Sequence, residues 1–468
     1  MFKALLRSCI AFATVSSASL WAADAFDLPD FDDSSTSNAT VISVPKPVVS
    51  IDPGTAKIQE QTLPPDITEN DYVIESEASF TPIEASAVSE SPVSAKAEAV
   101  SLRKIPQELN RPVRVGVFTD VRELYVKQGD QEFQLAAASG KLKVKQGSKT
   151  ETVSSKTFAP AGRCLNIAPD RKSLAANCYA GSFKVTANGN KVTAINTIDV
   201  EEYLRGVIPY EIGKLDPSRF EALKAQAVAA RTYAYKHFGS RESVGFDIYA
   251  DTKDQVYKGL FGSTALTDSA VKTTAGIVMT YDGEFITAYY HSTCGGVSET
   301  MATWGKPDLP YLQSFPDLMD DGTPWCHESS YTSWERKFSD SETVTLFRQN
   351  AKEVKSKITD LSSIVSITTL DTLPSGRILT LEIATDKGAF TVQGDKVRWL
   401  FKKNGSILPS SFFTVSHESG EWVIRGKGFG HGVGMCQMGV RARAQAGQSF
   451  AHILTHYYPG ISLEKFER

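Results

Sequence analysis

From Arg111 onward the chain alternates apolar and polar residues in short runs. VRVGVFTD, ELYVKQ, EFQLAAA, KLKVKQ and SFKVTANGNKVTAI each place apolar side chains at every second position between turn residues, the period of a half-buried strand. The Asn188-Gly189-Asn190 turn inside the last run predicts a hairpin. Then the period changes. Phe220, Leu223, Ala227, Ala230, Ala234 and Phe238 recur at three- and four-residue steps, which predicts a helix ended by Gly239. Asp216 and Pro217 mark its start as cap and first-turn residue, with Ser218 and Glu221 as a capping box one register later. Further strands are expected at 277–281, 284–290, 364–369, 378–385 and 422–425. Residues 435–446, stopped by Gly447, and 449–456 read as two last helices. The fold class is therefore α+β, mostly strand. About 360 residues exceed what one core usually serves, which predicts two lobes, offered as 109–205 and 206–468.

The first hundred residues follow neither period. Residues 1–25 carry Lys3 and Arg7 ahead of an apolar stretch and then small residues, the layout of a secretory signal peptide cleaved near Ala22 or Ala25. The apolar run is short for a membrane span, and no later segment is apolar enough to cross a bilayer. A protein secreted to the periplasm or cell envelope is the expectation. Between Phe26 and Val100 there are 14 Asp/Glu against 3 Lys/Arg, with recurrent Ser, Pro and Ala. Such a segment buries too little apolar surface to offset chain entropy, so 26–108 reads as an acidic disordered linker. The remainder carries a net charge of +6, compatible with an anionic polymer surface. No cluster of Lys and Arg with interleaved aromatics points to nucleic acid.

Five cysteines follow the signal region. In an oxidising compartment the natural pairs are Cys164 with Cys178 and Cys294 with Cys326, leaving Cys436 as a buried free thiol in a glycine-rich run. The acidic residue with the most suggestive setting is Glu211, in GVIPYEIG, on a proline-punctuated turn just before the predicted helix. An acid held there by a rigid element suits single-acid catalysis, and its apolar neighbours Val207, Ile208, Pro209 and Ile212 favour the protonated form. The bland alternative is an ion pair with Arg205 or Arg231.

Four segments, in order, resemble the stage II sporulation protein D and amidase enhancer family of cell-wall proteins. They are 206–239; DTKDQVYKG at 251–259; AYYHSTCGGVSETMATWG at 288–305; and GKGFGHGVGMCQMG at 426–439 with ILTHYYPG at 453–460. The resemblance implies a lytic transglycosylase that cuts peptidoglycan glycan strands already stripped of stem peptides. Its product carries 1,6-anhydro-muramyl ends, and Glu211 acts as acid and then base. The other branch of the family implies a non-catalytic, glycan-binding enhancer of an N-acetylmuramoyl-L-alanine amidase. This chain has Tyr210 and Ile212 beside the acid where members often read "PSEM", and Asp216 where Trp is frequent.

Supporting substrate-binding candidates are Gln226 and Arg231 on the helix, Gln255 and Tyr257 after a turn, His291 and Ser292 before a glycine pair, and His431. No cofactor is required. Zinc is the one metal to consider: His291, Cys294, Cys326 and His327 offer an HxxC and an adjacent Cys-His pair, and some family members are thought to hold zinc. A Cys294–Cys326 disulfide is the competing reading.

Overall fold

A computed structural model describes residues 100–467. The predicted signal peptide and nearly all of the acidic linker lie outside the described residues. The end of that linker does not: Ser101–Lys104 is a strand, paired in parallel with the C-terminal strand Ser462–Glu467.

The alternating runs form two sheets. One has the order Ile248–Tyr249, Val113–Val121, Lys191–Ile198, Ser182–Asn188, Ser155–Phe158. The predicted hairpin is there, with Asn188 paired to Lys191. The other is six-stranded and antiparallel, running from Lys149–Val153 through the strands at 141–146, 131–138, 123–128 and 165–168 to Cys178–Tyr179. A closed Cys164–Cys178 disulfide ties its last two strands.

Two short helices follow, α1 (Val200–Arg205), capped by Asp199, and α2 (Ile208–Glu211), with Pro209 in its first turn. The turn expected at Glu211 is thus the last residue of a helical turn. The backbone between them needs glycine: a Cβ on Gly206 would stand 2.5 Å from the Tyr257 ring. Asp216 caps a 3₁₀ turn, Pro217–Arg219, that runs into α3 (Phe220–Lys236). The expected capping box is absent, because Ser218 bonds Asp216 and Glu221 accepts instead from the Phe450 amide.

Helix α3 is buried from Ala222 to Tyr235 on almost every face. That explains its alanines, since a helix enclosed all round needs small side chains where neighbours approach closely. Around it lie α4 (Ala265–Thr273), the strand Ile277–Tyr281, α6 (Gln437–Gln445) and α7 (Phe450–Tyr457). No helix among the described residues is long and apolar enough to cross a membrane, which says nothing of β-barrels.

Two cores are present, but they divide elsewhere than at 205. The larger runs from Val113 through Tyr311 and Cys326 to Phe466, across the boundary offered from the sequence. The smaller holds Trp334 to Ile424. It comprises α5 (Asp340–Asn350), a three-stranded meander at 364–393, and a second three-stranded sheet in which Trp334–Ser339 and Phe413–Glu418 flank Glu421–Gly426. This lobe is an insertion: the chain leaves the larger core before Trp334 and rejoins it at Val433.

Candidate active site around Glu211

Glu211 ends α2 against the N-terminal part of α6 and the loop 250–257. It is partly exposed, yet its surroundings are apolar: Ile208 is fully buried and Ile212 is 4% exposed. The loop is held by Asp254, whose carboxylate takes the Tyr249 amide at 2.7 Å and the Arg241 guanidinium and Tyr233 hydroxyl at 2.8 Å each. Fixed in that way, the Val256 amide donates to Glu211 Oε1 at 2.5 Å. Gln437, the first residue of α6, brings Nε2 to 3.5 Å from Oε2 and to 3.3 Å from Gln226 Oε1. Tyr290 also hydrogen-bonds Glu211. Its hydroxyl in turn takes a bond from Gln255 Nε2 at 3.0 Å, and Gln255 Oε1 accepts from Tyr203.

Burial dominates the electrostatics. Desolvation raises the Glu211 carboxyl to about 7, against the opposing pull of Val256, Gln437 and Tyr290. Among the described residues no cation pairs with Glu211. Arg205 pairs with Glu202 and Asp268, and Arg231 with Glu201, so the ion-pair alternative fails. The arrangement is a carboxyl poised between its two protonation states at neutral pH.

The other sequence candidates separate into three groups. Gln226 and Gln255 do approach Glu211, each one hydrogen bond removed, and both are fully buried. Arg231 and Tyr257 lie in the core. Arg231 makes a two-pronged pair with Glu201 at 2.7 and 2.8 Å and donates to the Ile277 carbonyl. Tyr257 packs between Tyr179 and Tyr203 and donates to Asn196, so its ring has no open face for a sugar. His291 and His431 form a third group with Tyr289 and Trp304. Burial holds both imidazoles neutral, His431 down to about 4. Neither bonds Glu211. Ser292, partly buried, takes the Met438 amide on its carbonyl.

Val256, Tyr290 and Gln437 were missed as site residues. All three stand inside the segments singled out from the sequence, but Val256 acts through its backbone, which leaves no side-chain signal.

The cysteines also depart from expectation. Cys294 and Cys326 are not bonded to one another: their sulfurs are 3.6 Å apart, and both are buried free thiols. Cys436 joins them, all three sulfurs lying within 4.8 Å of one another. His327 stands apart, exposed, with Nδ1 against the Pro324 carbonyl. The expected zinc set of two histidines and two cysteines is therefore not what the fold assembles.

A family model described as stage II sporulation protein matches residues 188–281, and one described as a domain of unknown function matches 326–434, close to the inserted lobe. The chain is 30% identical over 289 residues to the stage II sporulation protein D of Bacillus amyloliquefaciens, covering 58% of this chain and 76% of that protein. It is 30% identical over 378 residues to the amidase enhancer of Bacillus subtilis, covering 72% of this chain but only 51% of that protein. An uncharacterised protein of Brachyspira hyodysenteriae is 30% identical over 293 residues, covering 62% of this chain and 73% of its own length.

Proposed function

The chain belongs to the stage II sporulation protein D family, and from that premise we propose that it acts on the cell wall as a peptidoglycan lytic transglycosylase with Glu211 as its single acid. The observation that carries this reading is the carboxyl raised to about 7 by burial, with no cation paired to it among the described residues. Cleaving a glycosidic bond requires a proton on the leaving oxygen as positive charge develops on the sugar. Neutral Glu211 delivers it. The 6-hydroxyl of the same sugar then attacks its own C1, and the carboxylate takes up the proton that this hydroxyl releases. The ring closes to a 1,6-anhydro product, and Glu211 returns to its starting form. One carboxyl serves both steps only if its pKa lies near the working pH. Val256, Tyr290 and Gln437 fix its direction.

Digestion of amidase-treated peptidoglycan followed by mass spectrometry tests this. Release of 1,6-anhydro-ended fragments by the wild type and not by Glu211→Gln is expected. Equal release by both would overturn the assignment. The second reading, a glycan-binding activator of a separate amidase, draws on the likeness to the amidase enhancer. It predicts no anhydro product and a faster amidase in the same assay. Delivery to the envelope by the N-terminal segment belongs to either reading.

A further inference from the structure

Cys294, Cys326 and Cys436 come from three separate segments. Cys294 follows the strand Tyr290–His291, Cys326 stands where the chain sets out toward the inserted lobe, and Cys436 caps α6. As inert core residues they would have no reason to gather hydrogen-bond donors. They do gather them. The Cys294 amide points at Cys436 Sγ (3.2 Å), the Gly296 amide at Cys294 Sγ (3.3 Å) and the Gly439 amide at Cys436 Sγ (3.4 Å), and the Gly295 amide serves Cys326. Gly295 and Gly296 both have positive φ, 74° and 97°, which turns successive N–H groups inward as a small anion nest. Amides aimed at sulfur suit thiolates better than thiols.

The spacing is also that of ligands. With metal–sulfur bonds of about 2.3 Å, the edge of a tetrahedron is roughly 3.8 Å. Cys294 and Cys326 stand 3.6 Å apart. Charges of both signs lie alongside: Arg377, fully buried, donates to the Cys294 carbonyl at 2.8 Å, and the buried Asp317 carboxylate accepts from Cys294 Sγ at 3.5 Å, a contact that a bound cation would favour over a bare thiolate. His291, register partner of Cys436 and so on the same face of the two-stranded ladder, is 4% exposed and has no hydrogen-bond partner for Nε2.

We propose that Cys294, Cys326 and Cys436 form a buried thiolate site for one soft metal cation of the zinc or copper(I) class, with His327 taking no part. The ion would staple both ends of the inserted segment to α6. It replaces three S–H protons, which leave to solvent, so the step needs no oxidant. Because Gln437 follows Cys436 directly, the same staple would steady the residue facing Glu211. That last link rests on the transglycosylase reading; the metal site does not.

The full-length chain, purified under reductant without chelator, is loaded separately with Zn²⁺, Cu(I) and Co²⁺, desalted and analysed for metal. About one retained equivalent of zinc or copper(I) is expected, with a sulfur-to-cobalt charge-transfer band in the near ultraviolet for the cobalt form. Cys436→Ser should weaken retention at least about tenfold, while His327→Ala leaves it unchanged. Should Cys436→Ser fail to fold, the cobalt spectrum of the wild type still reads thiolate ligation. Absence of any retained metal, a Cys294–Cys326 disulfide in the protein isolated without reductant, or loss of metal in His327→Ala would each overturn the proposal. None of these readouts depends on glycan cleavage, so failure here and failure of the transglycosylase reading are separable.

Discussion

The Val256 amide lies 2.5 Å from Glu211 Oε1, so that oxygen is committed as an acceptor. The other oxygen, Oε2, meets only the longer and weaker donor Gln437 Nε2 at 3.5 Å, so it is the oxygen better placed to carry the proton of the neutral acid. A backbone donor cannot rotate away, so the acid's two oxygens are assigned different tasks before any substrate arrives.

The first consequence is for Glu211→Gln. The amide fills the same space and leaves no transferable proton. Release of anhydro-ended fragments should fall by about 100-fold or more, the usual scale of a lost general acid, with the folded structure retained. Rates from single-time-point mass spectrometry of a defined glycan would measure it.

The pH dependence follows from the same group. Activity should decline as pH rises through about 7, because the acid form is lost there. Stability carries a matching sign. Unfolded, the carboxyl titrates near 4.5; folded, near 7. Below pH 4.5 both states are neutral and stability is full. Between 4.5 and 7 the unfolded state ionises first, and the native state loses roughly 3 kcal/mol. Glu211→Gln lacks this loss, so urea titrations at pH 4 and pH 8 should differ less for the variant than for the wild type by about that amount.

Gln437→Leu removes a donor that favours the charged carboxylate. The Glu211 carboxyl should rise further, and the alkaline limb of the activity profile should move to higher pH. A merely structural role for Gln437 would lower the rate equally at every pH.

Arg231→Met tests the alternative role of a sequence candidate. Removing it leaves Glu201, about a quarter exposed, with the Gly276 amide as its remaining partner, so the loss is that of charged hydrogen bonds, about 1.5–3 kcal/mol. The expected result is a lower denaturation midpoint with an unchanged KM for glycan, since no face of Arg231 reaches the site.

Cys164 and Cys178 close a loop with a sequence separation of 14. Replacing both with serine should destabilise the β-rich half by about 3 kcal/mol on the loop-entropy scale, without altering the pH profile. Calorimetry with and without reductant would show the difference in the wild type alone.

The strand runs, the helix at 220–236 and the acid at 211 were legible because each leaves a local pattern: period two, period 3.6, or a carboxyl among apolar neighbours. What stayed hidden was nonlocal. Nothing near Gln437 says that it faces an acid 226 residues earlier in the chain. Tyr257 read as a sugar platform because sequence shows its aromaticity but not the three residues that enclose it. Of the two expected cysteine pairs, Cys164 with Cys178 formed, and the second failed for a related reason. Counting by proximity joins Cys294 to Cys326, while the parallel pairing of Tyr290–His291 with Met435–Cys436 delivers a third sulfur that no spacing rule anticipates.

The inserted lobe begins and ends side by side, Trp334 pairing with Gly426, where a Cβ would collide with the indole at 2.2 Å. A segment whose entrance and exit touch is a cassette: it can be gained, lost or exchanged by a single splice without re-threading the host.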